Sequence, residues 1–255
     1  MRPFSQVSPH GTGDPSPGDG PSRVFLFDVD GTLIRAGGAG RDAFLRTWER
    51  VFEVPHAFDR FSFAGCTDGA ILARGFREAM GRDITPGERD RFFQVYLDLL
   101  PGLVAEATHY RVLPGIREVL EALSERPDCQ VGLCTGNLER GARAKLARGD
   151  LNRFFRFGGF GSDSDDRGVL TAIAARRARE IAGRDVEVTV IGDSPRDLEA
   201  ARANGFRSVL VATGFHDLKT LAALAPDLLF PSFADVPEVL SRLLGPRTAP
   251  TEAPT

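Results

Sequence analysis

Apolar residues along this chain fall into two patterns. Short runs rich in apolar residues occur at Arg23-Val24-Phe25-Leu26-Phe27, Gln130-Val131-Gly132-Leu133-Cys134, Val186–Ile191 and Arg207–Val211, with a weaker one at Asp227–Phe230. A strand that is apolar at nearly every position is buried on both faces, as in a parallel sheet. Between the runs, apolar positions recur three and four residues apart. They predict helices at about 115–126, 138–148, 168–182, 195–204, 216–224 and 234–244. Strands alternating with helices predict an α/β fold, a Rossmann-like parallel sheet with right-handed crossovers.

The alternation fails once. From 37 to 112 only helical spacing is found: Phe44, Leu45, Trp48, Val51 and Phe52, then Ile71, Leu72, Phe76 and Met80, then Phe92, Phe93, Tyr96, Leu97 and Leu100. Ordinary crossovers are far shorter. Residues 37–112 are therefore expected to form an inserted all-helical cap, with 23–36 and 113–245 as the α/β core. Residues 1–22 and 246–255 are rich in Pro, Gly, Ser and other small or polar residues without apolar periodicity, and are expected to be disordered tails.

Composition narrows the class without changing it. Apolar residues make up 42% and charged residues 26%, enough for a sizeable core in 255 residues. A net charge of −3 gives no electrostatic footprint for nucleic acid. No apolar run approaches a membrane span, and the N-terminus lacks a secretory apolar core. The cysteines, Cys66, Cys129 and Cys134, are odd in number and without metal-type spacing, so a reduced, cytoplasmic protein is expected. The oligomeric state is not legible. The basic residues are nearly all arginine, with lysine only at 145 and 219, which limits where a catalytic lysine could sit.

In an open parallel sheet, ligands bind beyond the carboxyl ends of the strands. After the first strand come Asp28 and Asp30, with Gly31 permitting a tight turn. Carboxylates this close repel unless a proton or cation lies between them, and a hard divalent cation suits them. After the second strand, Thr135-Gly136-Asn137 offers a hydroxyl, a carboxamide and backbone N–H groups near a helix start, an anion-binding arrangement. After a later strand, Gly192-Asp193-Ser194-Pro195-Arg196-Asp197 adds two more carboxylates. Each segment alone reads as a turn or helix cap. Together, at successive strand ends, they describe a metal and phosphate site.

These residues resemble the haloacid dehalogenase superfamily of hydrolases, in a subgroup like the phosphoglycolate phosphatases. The likeness covers roughly 23–245 and rests on Asp28-Val29-Asp30-Gly31-Thr32-Leu33, on Thr135, and on Ile191-Gly192-Asp193-Ser194-Pro195-Arg196-Asp197. It implies a phosphatase in which Asp28 attacks phosphorus and Asp30 serves as general acid and base. It also implies Mg2+ held by Asp28, the backbone carbonyl of Asp30 and Asp193, with Thr135 on a phosphoryl oxygen. Asn137 would orient Asp28 or the substrate, and Asp197 would act on metal-bound water or on a neighbouring basic group. The family usually carries a lysine before the helix that precedes its last motif; here neither lysine occupies that place, and Arg167 does. Arginine stays charged and can hold phosphate with two hydrogen bonds. The competing expectation for Arg167 is a loop residue paired with Asp165 or Asp166.

Phe63-Ala64-Gly65-Cys66-Thr67-Asp68 resembles the family's specificity loop, so Cys66, Thr67 and Asp68 are candidates for substrate contact; alternatively Thr67 or Asp68 caps the helix that follows. Asp30 argues against dehalogenation, and the absence of lysine from 36–112 argues against phosphonate cleavage. A sugar phosphomutase and a catalytically silent phospho-ligand binder stay open. The expected partner is a small phosphorylated metabolite.

Overall fold

The computed structural model describes residues 22–54, 58, 63 and 65–246; the predicted tails lie outside these residues except for Ser22 and Pro246. The strands are β1 (Arg23–Phe27), β2 (Ile34–Ala36), β3 (Tyr110–Val112), β4 (Cys129–Thr135), β5 (Gly158–Phe160), β6 (Glu187–Gly192), β7 (Arg207–Val211) and β8 (Leu228–Phe230). The helices are α1 (Ala39–Phe52), α2 (Asp68–Met80), α3 (Pro86–Glu106), α4 (Ile116–Ser124), α5 (Glu139–Ala147), α6 (Arg167–Ala182), α7 (Pro195–Ala203), α8 (Leu218–Ala222) and α9 (Val236–Leu244).

Six strands form one parallel sheet in the order β5-β4-β1-β6-β7-β8, the α/β architecture that the apolar runs predict. The first run is apolar throughout because β1 is central and covered on both sides. Phe25 and Phe27 pack in one cluster with Leu120 of α4 and Val239 of α9. Val24 and Leu26 pack on the other face with Leu170 and Ala174 of α6. Burying each large side chain contributes roughly 1.5–3 kcal/mol. Phe27 is level with Leu133 of β4 and Ile191 of β6, so the chain leaves the sheet at nearly one height on three adjacent strands.

Three features were not legible in the apolar pattern. β5 is an edge strand of sequence Gly-Gly-Phe, too short and too small for a periodic signal. The interval 37–112 is not helical to its end, because Tyr110–Val112 forms β3. β3 pairs antiparallel with β2, Ile34 opposite Val112, so the chain leaves and re-enters the core through a two-stranded ribbon. A three-residue strand carries no period, and its partner lies more than 70 residues away.

α1, α2 and α3 enclose a separate aromatic cluster. Phe44 lies 4.7 Å from Phe92 and 5.6 Å from Tyr96, and Trp48 lies 4.9 Å from Phe58, between ring centroids. The indole N–H of Trp48 donates to the carbonyl of Val54 at 2.8 Å, which allows the ring to be buried.

Candidate active site

The strand ends converge because β1, β4 and β6 are parallel neighbours with matched register. Asp28 directly follows β1, Thr135 ends β4, and Asp193 follows β6. A cavity of about 520 Å3 opens above them, walled on its far side by the helical layer; Asp28, Asp30, Thr135, Asn137, Arg167 and Asp193 all line it.

Gly31 lets the chain double back over the sheet. Its φ is +85°, and a Cβ there would fall 2.5 Å from the Asp193 carboxylate. The turn closes with Gly31 N–H donating to Ile34 O at 2.8 Å, while the Thr213 hydroxyl donates to Gly31 O at 2.6 Å.

Buried charge dominates the floor of the site. Carboxylate oxygens of Asp28, Asp193 and Asp197 lie within 4.8 Å of one another, and all three residues are buried. Burial raises the Asp28 carboxyl to about 6; the Arg167 guanidinium opposes the rise and the Asp197 and Asp30 charges add to it. Burial likewise raises Asp193 to about 8, helped by the Asp28 and Asp197 charges. Hard oxygen donors that cannot all ionise without a counter-charge fit a hard divalent cation. Asp197 is the least available of the three. Its Oδ2 accepts from Ser194 N–H and Ser194 O–H at 3.0 and 2.7 Å, and its Oδ1 accepts from Arg167.

Arg167 is the first residue of α6 and points into the site. Its Nη2 lies 2.9 Å from Asp28 Oδ1 and 2.5 Å from Asp197 Oδ1. The loop pairing with Asp165 or Asp166 does not form. Asp165 is taken by Arg89 of α3, at 2.7 and 2.8 Å, and Asp166 caps α6 by accepting from Val169 N–H. Asp197 and Asp28 outweigh the cost of burial and keep the guanidinium charged.

Thr135 and Asn137 form one unit. Thr135 Oγ1 accepts from the backbone N–H of Asn137 at 3.3 Å and from its Nδ2 at 2.8 Å. With both lone pairs engaged, the hydroxyl proton remains to donate into the cavity. Asn137 Nδ2 also donates to Asp30 Oδ2 at 2.9 Å. Asn137 thus contacts Asp30, whereas the sequence pointed to Asp28 or the substrate. Gly136 offers its carbonyl to Asp68 N–H at 2.8 Å, and a Cβ on it would lie 2.5 Å from Cys66 O. The helical layer therefore seats directly on the turn formed by Thr135, Gly136 and Asn137.

The loop ahead of α2 divides its tasks; its Ala64 lies outside the described residues. Cys66 and Asp68 line the cavity. Thr67 does not: its hydroxyl caps α2 by accepting from Ala70 N–H at 3.2 Å and donates to Asp165 O at 3.0 Å. Asp68 Oδ2 accepts from Leu138 N–H at 2.9 Å, capping α5 from across the boundary. Burial raises its carboxyl to about 6, against the pull of Lys145.

Lys145 is a site residue that sequence order missed. It sits on α5, yet its Nζ donates to Asp30 Oδ2 and to Asn137 Oδ1, each at 2.6 Å. Two signals were present. It is one of only two lysines, and it occupies a buried face with Gly141, Ala142 and Leu146. Helical side chains tilt toward the N-terminus, which aims Lys145 back at the start of α5 and Asn137.

The family description "haloacid dehalogenase-like hydrolase" matches residues 23–205. A phosphoglycolate phosphatase of Synechococcus elongatus is 30% identical over 148 residues, which is 58% of this chain and 64% of that protein. A phosphoglycolate phosphatase of Salmonella choleraesuis is 25% identical over 231 residues, 84% of this chain and 90% of that protein. Among solved structures, CbbY from Rhodobacter sphaeroides in complex with phosphate aligns with a TM-score of 0.67 at 23% identity, covering 84% of this chain and 96% of that one. A putative beta-phosphoglucomutase from Bacteroides vulgatus aligns with a TM-score of 0.65 at 20% identity, covering 89% and 90%. These two structures speak to the fold alone.

Proposed function

The chain belongs to the haloacid dehalogenase-like hydrolases and is a phosphatase of that family; we propose that it hydrolyses a small phosphate monoester through an aspartyl-phosphate on Asp28. The observation that carries this reading is the convergence of a nucleophile, an acid, a hydroxyl and a fixed cation on one cavity: Asp28, Asp30, Thr135 and Arg167.

Asp28 attacks phosphorus as the ester oxygen departs, forming the acyl phosphate. Asp30 gives that oxygen its proton, then takes one from the water that cleaves the acyl phosphate, releasing inorganic phosphate and restoring Asp28. Both hydrogen bonds received by Asp30 fall on Oδ2, which leaves Oδ1 for these transfers. Thr135 donates its hydroxyl to a phosphoryl oxygen. Arg167 faces the charge that builds on the phosphoryl group and holds Asp28 ionised. Asp28, the Asp30 carbonyl and Asp193 would hold Mg2+, which supplies the positive charge that lets a carboxylate meet an anionic ester. Asp197 fixes Arg167 rather than the metal.

α1, α2 and α3 act as the cap over this cavity. Its volume of about 520 Å3 suits a metabolite, not a protein. Phosphoglycolate heads the candidates, since relatives carry that name and arginines, among them Arg41 and Arg111, line the cavity and suit an anionic metabolite. Among the described residues no helix is long and apolar enough to cross a membrane, and none of the three cysteines is in a disulfide, which fits a reducing cytoplasm.

The test is hydrolysis of p-nitrophenyl phosphate and a panel of small phosphate esters, with and without Mg2+, against Asp28→Asn. Metal-dependent turnover lost in the variant is expected. Turnover no higher than the Asp28→Asn control on every ester would remove the enzyme reading.

A further inference from the structure

Lys145 is a buried charge to which the reaction above assigns no task. Its side chain is 6% exposed and its ammonium is wedged between core and helical layer. It donates to Asp30 Oδ2 and to Asn137 Oδ1 at 2.6 Å each. A Cβ on Gly40, in the first turn of α1, would stand 3.0 Å from Nζ. Asp68 of α2 adds a second negative charge to its surroundings.

The two hydrogen bonds are linked through one carboxamide. Because Lys145 faces Asn137 Oδ1, the amide of Asn137 is forced to present Nδ2 to Asp30 Oδ2 and to Thr135. Ammonium and carboxamide therefore grip the same oxygen of Asp30. Without Lys145 the Asn137 amide could turn over, and Asp30, with its side chain 42% exposed, would be free to swing into the cavity.

Resting on the reading of Asp30 as general acid, we propose that Lys145 is the positioning residue for that acid, aiming Asp30 Oδ1 at the ester oxygen. It also makes placement of the acid depend on the seating of α1 and α2, since Gly40 and Asp68 complete its pocket.

The test uses leaving-group dependence in the full chain. A phenolate such as p-nitrophenolate departs without a proton, whereas an alkoxide needs one. Lys145→Met keeps the length and removes the charge. It should lower kcat/KM, which reports only the step that expels the alcohol, by about 10- to 100-fold for an alkyl phosphate and by less than about 3-fold for p-nitrophenyl phosphate. In an Asp30→Asn background the same substitution should add nothing. Gly40→Ala, which presses a methyl on the ammonium, should show the same selectivity more weakly; it is the readout if Lys145→Met does not fold. Equal losses of kcat/KM on both esters, or no loss on either, would overturn the proposal. An active Asp28→Asn enzyme would instead overturn the aspartyl-phosphate reading, so the two failures are distinguishable.

Discussion

Replacing Arg167 tests the least conventional part of the site. Its Nη2 stands 2.9 Å from Asp28 Oδ1, with both side chains under 10% exposed. At that separation and an effective dielectric constant of about 20, the attraction is about 6 kcal/mol. Desolvation of the pair offsets part of it, and removing one member of a buried pair costs about 3–5 kcal/mol. If about 3 kcal/mol of that persists where charge accumulates on the phosphoryl group, Arg167→Ala loses roughly two orders of magnitude in kcat. The loss has a pH signature. Arg167 opposes the rise that burial gives the metal-free Asp28 carboxyl, so without it that carboxyl ionises at higher pH, Mg2+ competes with a more tightly held proton, and activity at limiting Mg2+ should appear later as pH rises. The assay is steady-state hydrolysis of p-nitrophenyl phosphate, with the rate loss read at saturating Mg2+ and the pH profile at limiting Mg2+, and thermal melting to confirm folding. Arg167→Lys should recover part of the rate, because an ammonium restores the charge that Nη2 places between Asp28 and Asp197 but not the second nitrogen, Nη1, that donates to Gly65 O at 3.4 Å. A folded Arg167→Ala enzyme with near-normal turnover and an unmoved pH profile would refute the reasoning.

Two further expectations concern coupling and pH. Gly136→Ala drives a methyl to 2.5 Å from Cys66 O and 2.8 Å from the Cα of Thr67, both backbone atoms, so the helical layer must lift; kcat/KM should fall at least about tenfold, and an unchanged value would show that the seating is irrelevant. In metal-free protein, Asp28 and Asp68 sit at about 6 and Asp193 at about 8, all above their value of 3.8 in an unfolded chain. A raised carboxyl favours the folded state at low pH and loses that contribution as pH climbs through its folded value; for Asp68 this is worth up to about 3 kcal/mol. The metal-free melting temperature should therefore fall from about pH 4 to about pH 8, with Mg2+ restoring more at the higher pH. A flat metal-free profile would contradict the buried carboxylate cluster.

The pattern of residues settled the sheet core and which residues meet at its carboxyl edge. Runs rich in apolar residues mean strands covered on both faces, and polar residues that directly follow them lie at the carboxyl edge, so the placing of Asp28, Thr135 and Asp193 was legible before any coordinate. Periodicity likewise marked α1, α2 and α3, because an amphipathic helix writes its buried face into its spacing. Tertiary structure decided the rest. β2, β3 and β5 are three residues long and exist only through partners distant in sequence. Arg167 could have paired locally with Asp165 or Asp166; Arg89, arriving from α3, takes Asp165 and leaves Arg167 to Asp28 and Asp197. Thr67 read equally well as a substrate contact and as a helix cap, and only the position of Ala70 N–H chose. Lys145 is the sharpest case. Its order along the chain says nothing about Asp30, 115 positions away, because that contact exists only once β4, which leads into α5, is laid beside β1. Local pattern fixes which face is buried; which charges meet in the buried space depends on how separate elements cross.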